Sequence, residues 1–411
     1  MKKRTASQSP AFELKQKSLA YTTRSQPQRW VFVLTVILSL AFLAGGWLLN
    51  RGLSFTDDDI PSFRAKVSLV THFTESEHYF GSEDQVTSRE IFFQADMQSG
   101  SLKGERVKAV QYIDGMAALN PVEVQPGSSV LLTPMPASVE SEADFAFVDY
   151  DRSRVIGGLL ALFLLALLIF GRRQGFRTIL TLVFTFLAIF FVFIPAILNE
   201  RNIYLASVLI CGFIVLMTLL LLNGANIKSA CAVLGNIGGL ALAGLLALLV
   251  NRLAVITGMV GDEVMYLLYI DDVPKLDLVA IVWSGMVIGA LGAVMDVAMS
   301  VSSAMHELAS SQPDLDERKL RKAGLRVGGD VLGTMTNTLI LAYIGSSLML
   351  VLVLMIYQPD KMLLINSERV AVEVLQALIG SLGILAAIPI TSLVAARLYA
   401  AQHKKQQAGV R

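Results

Sequence analysis

Long apolar runs dominate the chain, and their lengths match the thickness of a bilayer. A helix needs about 20 mostly apolar residues to cross the hydrocarbon. Runs of that kind cover residues 30–49, 155–171, 177–198, 203–222, 229–250, 278–305, 331–356 and 374–396. The second is short, and the sixth is long enough to tilt or to project beyond the bilayer. GDEVMYLLYI, 261–270, is too short to cross and is expected at the outer interface. Between the first two runs the pattern shortens to that of strands. KVSLV, REIFFQADM and RVKAVQYI carry alternating or β-branched and aromatic residues, SGSLKG is expected as a hairpin connection, QPGSSVLL as a turn feeding another strand, and DFAFVDYDRSR as the final strand. The expected fold class is an α-helical polytopic membrane protein of about eight transmembrane helices, with a small β-rich extracytoplasmic domain, barrel or sandwich, between the first two.

Composition agrees with a membrane protein. Of 411 residues 54% are hydrophobic and 16% charged, and the mean hydropathy is +0.60, whereas a soluble chain carries about 25% charged residues. The net charge of +1 conceals a segregation along the chain. Positively charged flanks stay in the cytoplasm. The first 29 residues, with seven Lys/Arg against one Glu, are therefore expected inside, as are Arg172, Arg173, Arg177, Lys228, the cluster Arg318, Lys319, Arg321, Lys322 and Arg326, and the Lys404/Lys405 tail. Asp262, Glu263, Asp271 and Asp272 fall outside. So does Ser54–Asp151, with 17 acids against six Lys/Arg. The first run is too long for a signal peptide and has no small-residue cleavage site directly after it, so it is expected to remain as an anchor.

The chain thus divides into a basic cytoplasmic tail (1–29), a first transmembrane helix (30–49), an extracytoplasmic β-rich domain (50–154), a seven-helix transmembrane domain (155–398) and a second basic cytoplasmic tail (399–411). Cys211 and Cys231 both lie in apolar runs and are expected as packing residues, not as a disulfide. Pro195 and Pro389 are candidates for kinks.

The candidate chemistry lies where polar residues interrupt these runs. Gly285, Gly289, Gly292, Asp296, Ser300, Ser303 and Glu307 recur at spacings of three and four, which makes one stripe on a helix. The glycines allow another helix to approach closely, and an acid inside hydrocarbon is expected to face protein or water. Asp330, Thr334 and Asn337 repeat the pattern at i, i+4 and i+7 on the next helix. Two carboxylates sharing a poorly solvated site do not both ionise easily, so Asp296 and Asp330 are expected to hold a proton or a bridging cation. Asn337 completes an oxygen set suited to a hard cation, while Asp330 capping its helix is the structural alternative. His306 and Glu307 are candidates for a gate or relay below Asp296, or for a solvated helix end. In HFTESEH, His72 and His78 are expected as surface loop histidines, because no further ligand spacing supports a metal.

GALGAVMDVAMSVSSAMHEL, followed by a basic linker and GGDVLGTMTNTLILAYIGSSL, resembles the hallmark helices of the YibE/F family of bacterial multi-pass membrane proteins. The resemblance implies a protein of the bacterial cytoplasmic membrane and a presumption of transport. A fainter likeness to proton-driven SecD/SecF-type export helices implies, by analogy, proton use. The expected function is a proton- or cation-coupled permease of unknown substrate. Two alternatives stay open: an intramembrane aspartyl-type hydrolase using Asp296 and Asp330, and a scaffold recruiting partners through the external domain. No HExxH, GxSxG, Walker A or Cys-rich signature occurs, so transport is favoured over catalysis. No cofactor is expected beyond a bound proton or cation. The expected partners are the lipid bilayer, the transported solute, and either a second copy or a partner membrane protein, with no nucleic acid.

Overall fold

The computed structural model describes residues 29–50, 61–80, 84–114, 122–136, 141–261, 264, 276–312, 316–357 and 360–408, the side chains of 76–80, 84–87 and 403–408 excepted. The expected interfacial stretch 261–270, with Asp262, Glu263, Asp271 and Asp272, falls almost wholly outside these residues, as does the side chain of His78. The chain divides into two compact units, one spanning 54–170 and the other formed by 1–53 together with 171–411.

The first unit is built on five strands: β1 (Phe63–Phe80), β2 (Asp84–Met97), β3 (Arg106–Ile113), β4 (Ser129–Pro134) and β5 (Phe145–Tyr150). They close into a barrel in the order β1-β2-β3-β5-β4, with β1 pairing β4 and with β3 parallel to β5. That order is the Greek-key pattern of a small OB-type barrel, so the barrel alternative is the one realised. Alternation explains the strands. Ile91, Phe93, Ala95 and Met97 on β2 all point into the core beside Val67, Ala109, Val130 and Leu132. SGSLKG makes the β2–β3 connection as expected, with positive φ at Gly100 and Gly104 and a bond from Gly104 N–H to the Met97 carbonyl at 2.9 Å. The buried amide of Gln111 donates to the Val122 carbonyl at 3.0 Å and accepts from Val124 N–H at 2.9 Å, fixing the connection that follows β3.

HFTESEH is strand and not loop: β1 continues through it, paired with β2 from His72↔Phe92 to His78↔Val86. His72 stacks on Phe92 with ring centroids 4.6 Å apart, and its Nε2 lies 3.9 Å from Glu142.

The second unit is helical. Its elements are α1 (Arg29–Leu49), the latter part of α2 (Ser153–Ala188), a π-helical turn (Ile189–Phe193), α3 (Ile194–Leu198), α4 (Ile203–Asn223), α5 (Ile227–Leu253), α6 (Leu278–Ser311), α7 (Glu317–Ser346), α8 (Leu348–Tyr357), α9 (Lys361–Asn366) and α10 (Glu368–Ala408). Among the described residues six helices are long and apolar enough to cross a membrane: Arg29–Leu49, Ser153–Leu198, Ile203–Asn223, Ile227–Leu253, Leu278–Ser311 and Glu368–Gln402. The pair α7 and α8, bent by 57°, makes a seventh if counted as one span.

Between the second and third expected runs, at 172–176, two helices meet across a kink at Arg172, at φ 46° and ψ −122°, and are joined in α2. The run expected to cross as 331–356 is broken between Ser346 and Leu348. At Pro195 the helix is disturbed by the π turn that precedes it.

Helices α5, α6, α7 and α10 form the central bundle, with α4 against α5 and α6. Cys211 and Cys231 are buried free thiols in that core. The loop after α5 is tied down at Thr257 and Gly258. The Glu368 carboxylate, at the first residue of α10, accepts from Thr257 N–H at 2.8 Å, the Thr257 hydroxyl at 2.8 Å and Gly258 N–H at 2.7 Å.

Two predictions follow from these contacts. A Cβ added at Gly239 would lie 2.8 Å from the Gly383 carbonyl oxygen and 2.9 Å from Val294, whereas one at Gly212 would meet nothing within 4 Å. Gly239→Ala should destabilise the purified protein by about 1–3 kcal/mol and Gly212→Ala by less than about 0.5 kcal/mol, read by denaturant titration; equal effects would contradict the α5–α10 contact. At the barrel's exit, the Arg152 guanidinium, 2.6 Å away, holds the Asp149 carboxyl below its ordinary range, and bonds from the Ser153 hydroxyl and N–H do the same for Asp151. Groups with lowered values stabilise above the unfolded carboxylate range, near pH 4, and lose that contribution as pH falls through the folded value. A chain carrying Asp149→Asn and Asp151→Asn should show a shallower loss of barrel melting temperature between neutral pH and pH 3 than the unaltered chain.

Candidate functional site

Glycine sets how closely α5 and α10 cross. Besides the contact of Gly239 with the Gly383 backbone, a Cβ at Gly235 would overlap the Thr391 hydroxyl. Gly324 of α7 closes the third side, where a Cβ would lie 2.5 Å from Met305 Sδ and 2.8 Å from Ser392 Oγ. Four helices therefore meet around a short polar stretch: Gly235 and Asn236 on α5, Met305 and His306 on α6, Gly324 on α7, and Thr391 and Ser392 on α10. Pro389 lies just before this pair inside α10, where its missing N–H leaves one carbonyl of the preceding turn without its helical donor.

Asn236, Thr391 and Ser392 are each 0% exposed. Neither amide atom of Asn236, nor Thr391 Oγ1, nor Ser392 Oγ, has a hydrogen-bond partner among the described residues. The same holds for His306 Nδ1 and the Tyr399 hydroxyl, whose rings lie tilted against one another at 5.7 Å. Close by, Ser302 Oγ donates to the Lys228 carbonyl at 2.7 Å. Ser207 and Ser284 are a satisfied pair, their hydroxyls 2.7 Å apart with one donating to the other and the remaining proton going to a helix carbonyl, while Thr336 Oγ1 and Ser347 Oγ are two further buried hydroxyls without a partner among the described residues. A buried polar group left unpaired costs about 1–3 kcal/mol, so six such atoms along one seam are a marked exception to the rule that buried polar groups are satisfied. Such a seam is suited to hold water, an ion or a polar solute.

The residues singled out by sequence divide into two groups. His306 joins the seam. The stripe on α6 exists, but it is the open face of that helix: Gly285, Gly289, Gly292, Asp296, Ser300 and Glu307 are exposed in the single chain and Ser303 is half-buried. The opposite face, with Ala290, Val294, Val297, Val301 and Met305, packs in the core. Close packing of the glycines holds only at Gly289, where a Cβ would overlap the Tyr343 hydroxyl and lie 3.0 Å from Gln376 Nε2; at Gly285 and Gly292 it would meet nothing within 4 Å. The reason is that α6 turns mainly its alanine and valine face toward α5 and α10, and its glycine face meets neighbours only at the level of Gly285 and Gly289, through Tyr343 of α7 and Gln376 of α10.

On α7, Asp330, Thr334 and Asn337 are likewise exposed, on the side away from Leu332, Met335 and Leu339, which pack against the core. The Thr334 hydroxyl bonds the Val331 carbonyl at 2.9 Å. Among the described residues no group of three or more His, Cys, Asp or Glu side chains could hold a metal ion. Asn236, Thr391, Ser392 and Tyr399 were not singled out by sequence. Asn236 is a single polar residue in an apolar run and was the only one with a signal in the sequence; Thr391 and Ser392 are an adjacent small polar pair in the last run, and Tyr399 falls in the expected cytoplasmic tail.

A family model of YibE/F-like proteins matches residues 159–401. The chain belongs to the YibE/F family. The YibE/F segment begins within α2 and takes in every residue of the seam, while the β-barrel lies outside the matched residues. No curated protein and no solved structure matches the chain significantly.

If Asn236 is kept for something other than packing, Asn236→Leu should leave this YibE/F chain as stable as before or raise its stability, since an orphaned amide is replaced by an apolar group of similar size. Ser207→Ala should instead lower stability by about 1 kcal/mol, because it breaks a satisfied pair. Thermal unfolding in detergent reads both, and an unfolded Asn236→Leu protein would show that the amide is a structural requirement.

Proposed function

We propose that the chain is a permease of the bacterial cytoplasmic membrane, coupled to protons or to a cation. The observation that carries this reading is the seam of unpartnered polar atoms through the four-helix core, from Asn236, Thr391 and Ser392 to His306 and Tyr399. Membership of the YibE/F family is consistent with it. An apolar core gains nothing from such atoms, whereas a coupled transporter needs a polar route between helices that shift.

In this proposal Asp296 supplies the titrating carboxylate. It lies ten residues before His306 on α6, roughly 15 Å along the axis at 1.5 Å per residue, with Ser300 and Ser303 between them. Asp330, Thr334 and Asn337, on the open face of α7, are costly to expose to lipid, which supports a second copy or a partner membrane protein against that face. With the helix broken at Arg172 counted as two spans and the bent α7–α8 pair as one, the spans number eight, both termini lie inside and the β-barrel lies outside. The basic residues at the start of α7 then stay in the cytoplasm.

The test uses the full chain in proteoliposomes enclosing a pH-sensitive dye, with a membrane potential imposed by potassium and valinomycin. The unaltered chain should admit protons faster than empty vesicles, and Asp296→Asn and Asn236→Leu should each reduce that rate at least tenfold. Rates for both variants equal to that of the unaltered chain would remove the basis of the proposal. Cysteine labelling of intact cells should reach residues 54–151 and miss the 308–329 loop; labelling of that loop from outside would overturn the topology.

A further inference from the structure

A second site lies away from the seam, where the N-terminus of α4, the C-terminus of α5 and the start of α6 meet. A cavity of about 730 Å³ opens there, with Asn202, Tyr204, Asn251, Arg252 and Trp283 in its wall. Beyond it a trench of about 450 Å³ runs between α4, α5 and α6, lined almost wholly by apolar side chains including Gly212, Leu245 and Val287. The two share Val208, Leu248 and Trp283, so they form one path with a polar head and an apolar tail.

The head is built for a ligand that is not part of the chain. Asn251 is 4% exposed, and neither its Oδ1 nor its Nδ2 has a partner among the described residues. Arg252, next to it, is exposed, and no carboxylate is ion-paired with it among those residues. The N-cap of α4 is Asn202, which accepts from Leu205 N–H at 3.0 Å; the positive end of a long helix thus lies at the same cavity. Among the described residues the acids Glu200 and Asp277 line a separate, neighbouring cavity, and Asp277 is occupied in capping α6 through Ala280 N–H at 2.9 Å. Trp283 is held in place by donation from Nε1 to the Gly244 carbonyl at 2.9 Å, and Tyr204 lies against it at 5.0 Å. Asn251 and Arg252 close α5 and Asn202 opens α4, so in the proposed orientation the head stands at the ends of these apolar helices and the trench alongside their apolar stretches.

We infer that this path binds an anionic glycerophospholipid, with its phosphate on Arg252 and the Asn251 amide and one acyl chain in the trench past Trp283. A guanidinium and an amide donor together suit a phosphate. Burying the chain contributes by the same hydrophobic term that anchors acyl groups in membranes. A soluble phosphate would share the head chemistry but leave the trench empty. The inference rests on no transport step, so it stands or falls independently of the seam.

The chain has three tryptophans. With Trp30→Phe and Trp47→Phe, Trp283 becomes the sole fluorophore in the full protein reconstituted in phosphatidylcholine vesicles. Small mole fractions of phosphatidylglycerol with brominated acyl chains should quench Trp283 well beyond the level set by random mixing, and brominated phosphatidylcholine should not. Arg252→Gln should raise the phosphatidylglycerol fraction needed for half-quenching about tenfold. Gly212→Leu, at a position where an added Cβ meets nothing within 4 Å, should fill the trench and abolish the preference in a folded protein. Equal quenching by the two lipids, or a preference unchanged in Arg252→Gln, would overturn the inference. Displacement of the brominated phosphatidylglycerol by inorganic phosphate would also overturn it, by assigning the head to a soluble anion.

Discussion

The helical unit depends on one contact, the crossing of α5 and α10 through Gly235, Gly239 and Gly383. At Gly239 no side chain fits without striking the Gly383 carbonyl. Without that closeness, α6 and α7 have no common groove to occupy. Helix association in lipid lacks the drive that water supplies, so it rests on packing and on polar groups brought together at the interface. Here both operate at one level of the bundle. The glycines bring the backbones near, and the space they leave is taken by Thr391 on one side and by Ser392 against Gly324 on another.

That arrangement has a consequence that apolar packing alone does not produce. Asn236, Thr391 and Ser392 are enclosed by the contact that orders the bundle, yet their hydrogen-bonding atoms point at no partner. Ser207 and Ser284, on α4 and α6, are by contrast a buried pair of hydroxyls that satisfy one another. The contrast distinguishes a paired polar contact from a run of unpaired polar atoms, on which the proposed polar route rests. The cavity at Asn251 follows the same logic at the interface, where an orphaned amide sits beside a cation and an apolar trench.

Much of the architecture was legible in the sequence. Apolar runs located the helices that are long and apolar enough to cross a membrane, since a bilayer imposes a length that residue order reports directly. Alternation located the barrel strands for the same reason of period, although their closure into the order β1-β2-β3-β5-β4 depends on pairings between distant segments that no local pattern encodes. The charges of Arg172 and Arg173 mark the joint between the second and third runs, which the backbone makes with one non-helical residue. The site was legible in part. The α6 stripe was visible as a stripe, but not the direction in which it faces. Its opposite face, of Ala290, Val294 and Val301, is equally able to pack, and only the positions of α5 and α10 decide between them. The seam was hidden because it is assembled from single polar residues on three helices, each unremarkable in its own run; His306, on the stripe helix, was the one member singled out beforehand.

The central claim is that the seam is hydrated in the working protein. The most direct measurement is thiol reactivity in membranes, starting from a chain in which Cys211 and Cys231, its only cysteines, are replaced by alanine. Ser392→Cys is compared with Val215→Cys, another fully buried position, in apolar surroundings. A charged methanethiosulfonate reacts with thiolate and so requires water at the sulfur. The account predicts that the cysteine at position 392 reacts and the one at 215 does not. Equal inertness of the two would contradict it, because the core around Asn236, Thr391 and Ser392 would then be dry.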